Sequence, residues 1–186
     1  KRGVTELVTP GLSYNDNVLE SKHNNFLASV FYGKVKTGIA FLDVSTGEFL
    51  TASGSNEYIN KLIQGFNPSE VIYSRGQKEA FAQQFGDAHT TYMLDEWVFG
   101  FDFGYEKLTQ QFKTTTLKGF GVENLQEAII ASGAILHYLE VTEHRETSHI
   151  SSISRIEEEK YVWLDKFTIR NLELIFPQQE SGVPLV

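Results

Sequence analysis

Asn25-Phe26-Leu27-Ala28-Ser29-Val30-Phe31-Tyr32, then Thr37-Gly38-Ile39-Ala40-Phe41-Leu42-Asp43-Val44, then Glu48-Phe49-Leu50-Thr51-Ala52 form three apolar runs within one stretch of chain. Gly33-Lys34 and Ser45-Thr46-Gly47 separate them. Short runs rich in β-branched and aromatic residues, divided by turn-forming residues, read as three neighbouring antiparallel strands. In the second run Ile39 and Phe41 face one way, while Ala40, Leu42 and Val44 face the other. A strand apolar on both faces is central and covered on both sides. Helices are therefore expected above and below the sheet.

Outward from this core the period changes. Asn56–Phe66 reads as a helix with Tyr58, Leu62 and Phe66 on one stripe, ended by Asn67-Pro68. Glu70–Tyr73 is a short buried strand, Gln77–Phe85 a helix closed by Gly86, and Thr90–Leu94 another strand. A helix from about Phe103 to Lys113 carries Tyr105, Leu108 and Phe112 on one side. The longest helix runs from about Leu125 to Glu140, with Asn124 as its cap and Glu127 three residues later, a capping box in outline. Its Ala128, Ala131, Ser132, Gly133 and Ala134 permit close approach to whatever packs on it. Three antiparallel strands followed by helix–strand–helix–strand–helix is the order of a ribonuclease H-like α/β fold, a mixed sheet with helices on both faces.

Both ends are read differently. Val4 to Val8 is a short entry strand before a turn at Thr9-Pro10-Gly11. From Thr142 to Lys160 the chain turns polar, and the domain boundary is placed there, dividing 1–150 from 151–186. Beyond it Tyr161–Leu164 is apolar, and Asp165 is placed to cap a helix Lys166–Ile175. This short, partly helical tail is too small to bury a core alone.

Composition narrows the chemistry. The chain has 41 % hydrophobic and 13 % aromatic residues, enough for a packed core. It has no cysteine, which excludes disulfides, thiolate metal sites and a cysteine nucleophile. No apolar run approaches the roughly 20 residues of a bilayer span, and a cytoplasmic setting is expected. Among the acids, Asp43 ends the second strand, Glu48 opens the third, and Asp95 and Asp102 follow a later one. A two-metal nuclease needs several carboxylates converging on two ions. The first strand offers only Phe26, Leu27, Ala28, Ser29, Val30 and Phe31, with no acid, so turn and capping roles are favoured. The five histidines, His23, His89, His137, His144 and His149, lack the i, i+4 pairing of a metalloprotease. Gly119-Phe120-Gly121 is read as a turn rather than an anion cradle.

Several segments resemble the MutS family of DNA mismatch-repair proteins, in that family's order. They are Val8-Thr9-Pro10-Gly11, Leu42-Asp43-Val44-Ser45-Thr46-Gly47-Glu48-Phe49, Asn67-Pro68-Ser69-Glu70, Leu117-Lys118-Gly119-Phe120-Gly121-Val122-Glu123 and Leu164-Asp165-Lys166-Phe167-Thr168-Ile169-Arg170-Asn171-Leu172-Glu173-Leu174. Each is weak alone; five in order are not. Leu12, where the family usually has Thr, and Gln77–Gly86 depart from the pattern. The resemblance implies that residues 1–150 are the family's ribonuclease H-like connector, and that 151–186 begin its lever. It implies a non-catalytic fragment that transmits conformational change between mismatch-binding and ATPase parts. No Gly-x-x-x-x-Gly-Lys-Ser/Thr phosphate loop and no Phe-x-Glu wedge occur here. ATP and Mg, mismatched duplex DNA and a homodimer would belong to the full-length protein. A ribonuclease H-like nuclease is the alternative. The resemblance also supplies a partner, MutL. The sequence supplies a candidate face for it: Glu106, Lys107, Gln110 and Thr114, opposite the apolar side of their helix.

The formal net charge is −8, with lysines and arginines scattered. Such a surface repels a phosphate backbone. The 186-residue chain is therefore expected to bind duplex DNA weakly or not at all near physiological salt. Fluorescence anisotropy checks this; submicromolar, salt-sensitive binding would overturn it.

Overall fold

The computed structural model describes residues 25–144 and 146–157. The entry strand Val4–Val8, the Pro10-Gly11 turn, the apolar stretch Tyr161–Leu164 and the helix expected at Lys166–Ile175 lie outside the described residues. The order is β1 (Phe26–Tyr32), β2 (Thr37–Asp43), β3 (Phe49–Gly54), α1 (Asn56–Phe66), β4 (Glu70–Ser74), α2 (Lys78–Phe85), β5 (Thr91–Leu94), α3 (Phe101–Phe112), α4 (Gln126–Val141) and β6 (Ser154–Arg155). The strands form one mixed sheet in the order β5-β4-β1-β2-β3-β6. Strands β1, β2 and β3 are antiparallel neighbours, while β4 runs parallel to β1 and β5 parallel to β4. This is the expected ribonuclease H-like arrangement, with one strand added outside β3.

The two-sided apolar pattern of β2 has its physical counterpart. On one face Phe41 stacks on Phe66 of α1 with ring centroids 4.4 Å apart, and Phe26 meets both rings edge-on. Tyr73 of β4 stacks on Phe81 of α2 at 4.2 Å. On the other face Leu27, Ala40, Leu42 and Phe49 join Ile129, Ala131 and Ile135 of α4 in one buried cluster. Every residue of β2 is buried.

Local chemistry sets the helix ends. Ser55 caps α1, its hydroxyl accepting from the Tyr58 N–H at 3.2 Å. Asn67 then turns left-handed (φ 46°) and Pro68 prevents continuation. Gly86 (φ 56°) ends α2, as its position suggests. The capping box expected on α4 is not formed. Leu125 occupies the cap position without a side-chain bond, and Asn124 lies outside it. Glu127 faces the sheet instead, accepting from the Ser53 hydroxyl at 3.2 Å. The start of α4 rests directly on β2, where a Cβ on Gly38 would stand 2.1 Å from the Glu127 carbonyl. That contact commits Glu127 to the sheet and removes it from the helix cap.

Helix α4 lies between the sheet and α3, with Ala128 to Leu136 all buried. The crossing with α3 is made by two glycines: a Cβ on Gly133 would stand 2.3 Å from the Cα of Gly104. The Ser132 hydroxyl donates to the Ala128 carbonyl at 2.7 Å and, toward the sheet, lies 3.1 Å from the Thr51 hydroxyl.

The polar stretch after α4 is tied down. Gln111 of α3 donates to the Thr147 and Ile150 carbonyls at 2.8 and 2.9 Å. His149 Nε2 donates to the Val44 carbonyl at 2.6 Å. Ile150 and Ile153 are buried, and β6 pairs parallel with β3 through Leu50↔Ser154 and Thr51↔Arg155. Backbone hydrogen bonding and two apolar anchors outweigh the polar character of the surrounding side chains.

Gly133→Ala is expected to destabilise the fold by about 2 kcal/mol, because overpacking costs more than the gain in helix propensity returns. Gly119→Ala, with no atom within 4 Å of the added Cβ, should stay within about 0.5 kcal/mol. Urea unfolding midpoints at constant slope check this; equal midpoints would overturn the crossing.

Candidate functional site

The residues singled out from the sequence sit on or just beyond α3. This helix buries Gly104 and Leu108 and half-buries Phe101, Tyr105 and Phe112. Phe112 packs edge-on against Phe49 and tilted against Phe120. The Tyr105 hydroxyl donates to Glu123 at 3.1 Å, and the same carboxylate accepts from the Leu117 N–H at 2.8 Å. The Gly119-Phe120-Gly121 segment is thus a turn, closed by Phe120 N–H to Leu117 and Gly121 N–H to Lys118 and locked to α3.

The structure places two of the four residues together. Glu106 and Gln110 are exposed one turn apart, with Gln110 donating to the Glu106 carboxylate at 2.8 Å. The other two stand elsewhere. Lys107 reaches sideways to α4, its ammonium 2.6 and 2.7 Å from the Glu140 carboxylate oxygens and 5.5 Å from the Phe103 ring centroid. Its side chain is only 21 % exposed. Thr114 follows Lys113, which turns left-handed (φ 53°) and ends the helix, and its hydroxyl donates to the Thr116 carbonyl. Helical periodicity cannot be extended past that turn, so Thr114 does not share the face of Gln110.

Between α3 and α4 runs a groove of about 200 Å³, lined among others by Lys107, Gln110, Gln111, Leu136, Leu139 and Glu140. At one side of the Lys107–Glu140 pair stands an aromatic group missing from the sequence reading. Trp97 is 61 % exposed. Its ring centroid lies 5.3 Å from Phe103 and 5.1 Å from His137, and Phe103 lies 5.5 Å from His137. His137 Nδ1 is 3.8 Å from Glu140. Burial holds the His137 imidazole below its usual range, with the Glu140 carboxylate opposing and the Lys107 ammonium reinforcing that shift.

The acids weighed for nuclease chemistry serve other ends. Asp43 is buried and accepts from the Ser45 N–H at 2.9 Å, the Ser45 hydroxyl at 2.6 Å and the Thr46 N–H at 3.3 Å, which builds the β2–β3 turn. Asp95 accepts from Arg75 at 3.3 Å, and Asp102 lies in the first turn of α3. Among the described residues no three His, Asp or Glu side chains are grouped to hold a metal ion. No helix among them is long and apolar enough to cross a membrane.

Residues 25–151 match the family profile of MutS domain II. The chain belongs to the MutS family. Over all 186 residues it is 58 % identical to the DNA mismatch repair protein MutS of Cytophaga hutchinsonii, 56 % to that of Bacteroides fragilis and 55 % to that of Flavobacterium psychrophilum. It spans 22 % of the length of each of these relatives. MutS domain II is a non-catalytic part of a mismatch-repair protein, and the chain is such a part.

An imidazole held low by the fold is protonated more readily in the unfolded chain. Its contribution to stability is present above the unfolded pKa of about 6.5 and is lost as pH falls through the lowered folded value. NMR titration of His137 should give a midpoint below about 6.5, and His137→Asn should flatten the fall in melting temperature on acidification. A midpoint at or above that of an exposed histidine would overturn the packing described.

Proposed function

We propose that the chain is the connector of a MutS-type mismatch-repair ATPase, carrying conformational change between mismatch-binding and ATP-hydrolysing parts and offering a docking surface to MutL. The observation that carries this reading is the encasement of α4. One helix, buried between the sheet and α3, binds the described elements into a body suited to move as a unit. Tight packing resists internal deformation, so displacement at one end is passed on rather than absorbed. The relatives are DNA mismatch repair proteins, which supports a role in mismatch repair. Use of ATP and Mg, binding of mismatched duplex DNA, homodimer formation and a cytoplasmic setting follow for the full-length protein on the same reading.

The division of domains is part of the proposal. Residues up to about 150 form the connector, and β6 carries it a few residues further. The lever begins in the stretch beyond Arg155, whose sequence includes the apolar residues Trp163, Phe167, Leu172 and Ile175.

MutL docking is placed on the exposed side of α3. Glu106 and Gln110 form its open polar pair, Lys107 borders it, and Thr114 stands just past its end. A transient interface need be no more apolar than ordinary surface. In the full-length protein, Glu106→Lys combined with Gln110→Lys should lower MutL recruitment on mismatched DNA by about fivefold or more, leaving mismatch affinity and ATP turnover unchanged. Undiminished recruitment, with both side chains shown exposed, would remove α3 from the interface.

A further inference from the structure

We propose that the seam between α3 and α4 is a receptor for an arginine-bearing segment of a protein partner. One guanidinium meets the Glu140 carboxylate at the groove, and a neighbouring cation lies on the exposed ring of Trp97. The inference deepens the docking reading by giving the partner's chemistry, and rests on it only for the partner's identity.

Three observations converge. The groove of about 200 Å³ has the size for one long side chain; the buried Leu136 and Leu139 lie beneath it, and Gln110 and Gln111 line it with amide carbonyls, the groups that accept from a guanidinium. Glu140 remains 55 % exposed although Lys107 touches it. A carboxylate has about four lone-pair sites and the ammonium takes two, so a guanidinium fork can share it. Trp97, 61 % exposed, is joined to this carboxylate through His137. An open indole is the strongest aromatic partner for a cation, and guanidinium stacks on it with little loss of hydration.

Charge decides among occupants. Glu106 bonds the groove-lining Gln110, and exposed Glu143 and Glu146 flank His144 and Thr147, which also line the groove. The chain as a whole carries −8. Acidic segments and nucleic acid are repelled, whereas a basic segment is attracted and oriented. A purely apolar segment would strand the Lys107–Glu140 pair and the two amides without solvent.

The test uses the 186-residue chain with Trp163→Phe, leaving Trp97 as its single indole. The probe is an acetylated Arg-Gly-Arg-Gly-Arg peptide, compared with versions carrying citrulline or glutamate in place of arginine. The arginine peptide should change Trp97 emission saturably and in a salt-sensitive manner. The citrulline peptide should bind about fivefold or more weakly, and the glutamate peptide should not bind. Glu140→Gln should weaken the arginine peptide severalfold. Lys107→Gln should strengthen it by removing the competing ammonium, a gain that a merely structural role for the pair would not give. Trp97→Ala, followed by calorimetry, should also weaken it. Equal binding of the citrulline peptide, or indifference to Glu140→Gln with loss on Lys107→Gln, overturns the proposal. A parallel measurement of MutL recruitment by the full-length protein separates the two readings. Recruitment sensitive to Glu106→Lys but not to Glu140→Gln or to salt keeps the docking face and rejects the arginine receptor. Peptide binding as expected with recruitment untouched keeps the receptor and moves MutL elsewhere.

Discussion

The crossing of α3 and α4 is a contact that involves no side chains. Gly104 and Gly133 bring the backbones of α3 and α4 together at a distance no larger residue allows. From that approach follows the depth at which Leu108 is buried, the reach of Lys107 to Glu140, and the position of Gln111 against the chain after α4. A second close approach, of Gly38 beneath the first turn of α4, fixes the other side of the same helix. The helix is thus clamped from two directions by missing side chains, and most of what surrounds it takes its place from that clamp. Interiors packed at crystal-like density leave no slack to redistribute.

The sheet was legible because its signal is local. Apolar residues on both faces of Thr37–Val44, with short turns on either side, leave few alternatives to a covered central strand. The helices α1 and α2 were legible for the same reason, their ends marked by Asn67-Pro68 and Gly86. What escaped was set by tertiary contact. The residue pair Asn124/Glu127 has the spacing of a capping box, yet the sheet claims Glu127 through Ser53 and the Gly38 approach. The stretch Thr142–Lys160 looks like a solvated linker, yet Ile150 and Ile153 are buried and Ser154–Arg155 form a strand. Polar composition describes what a segment can expose; it does not say whether an acceptor such as the Val44 carbonyl waits beside it.

The candidate face shows the same division. Helical spacing placed Glu106 and Gln110 correctly as exposed neighbours, since that follows from 100° per residue alone. It failed for Thr114 because Lys113 adopts a left-handed conformation that only a glycine or asparagine would have signalled. It failed for Lys107 because a long side chain at the border of two faces goes to whichever charge lies nearer, and Glu140 comes from a separate helix. Helical spacing pairs His137 with Glu140 on α4, but no pattern in the sequence brings positions 97 and 107 to them. Their meeting is a product of the α3–α4 crossing, and so indirectly of two glycines.

The parallel pairing of β6 with β3 has a consequence for biosynthesis. Its partners, Leu50 and Ser154, lie about a hundred residues apart in the chain, a separation that raises contact order and delays closure. At a translation rate of about 5–20 residues per second, the outer edge of β3 leaves the ribosome about 5–20 seconds before the strand that covers it. During that interval Phe49–Gly54 presents an open row of backbone donors and acceptors, the kind of edge that recruits strands from other chains. The nascent protein is then at its most adhesive, and the arrival of Ser154-Arg155 ends a window that the finished fold no longer displays.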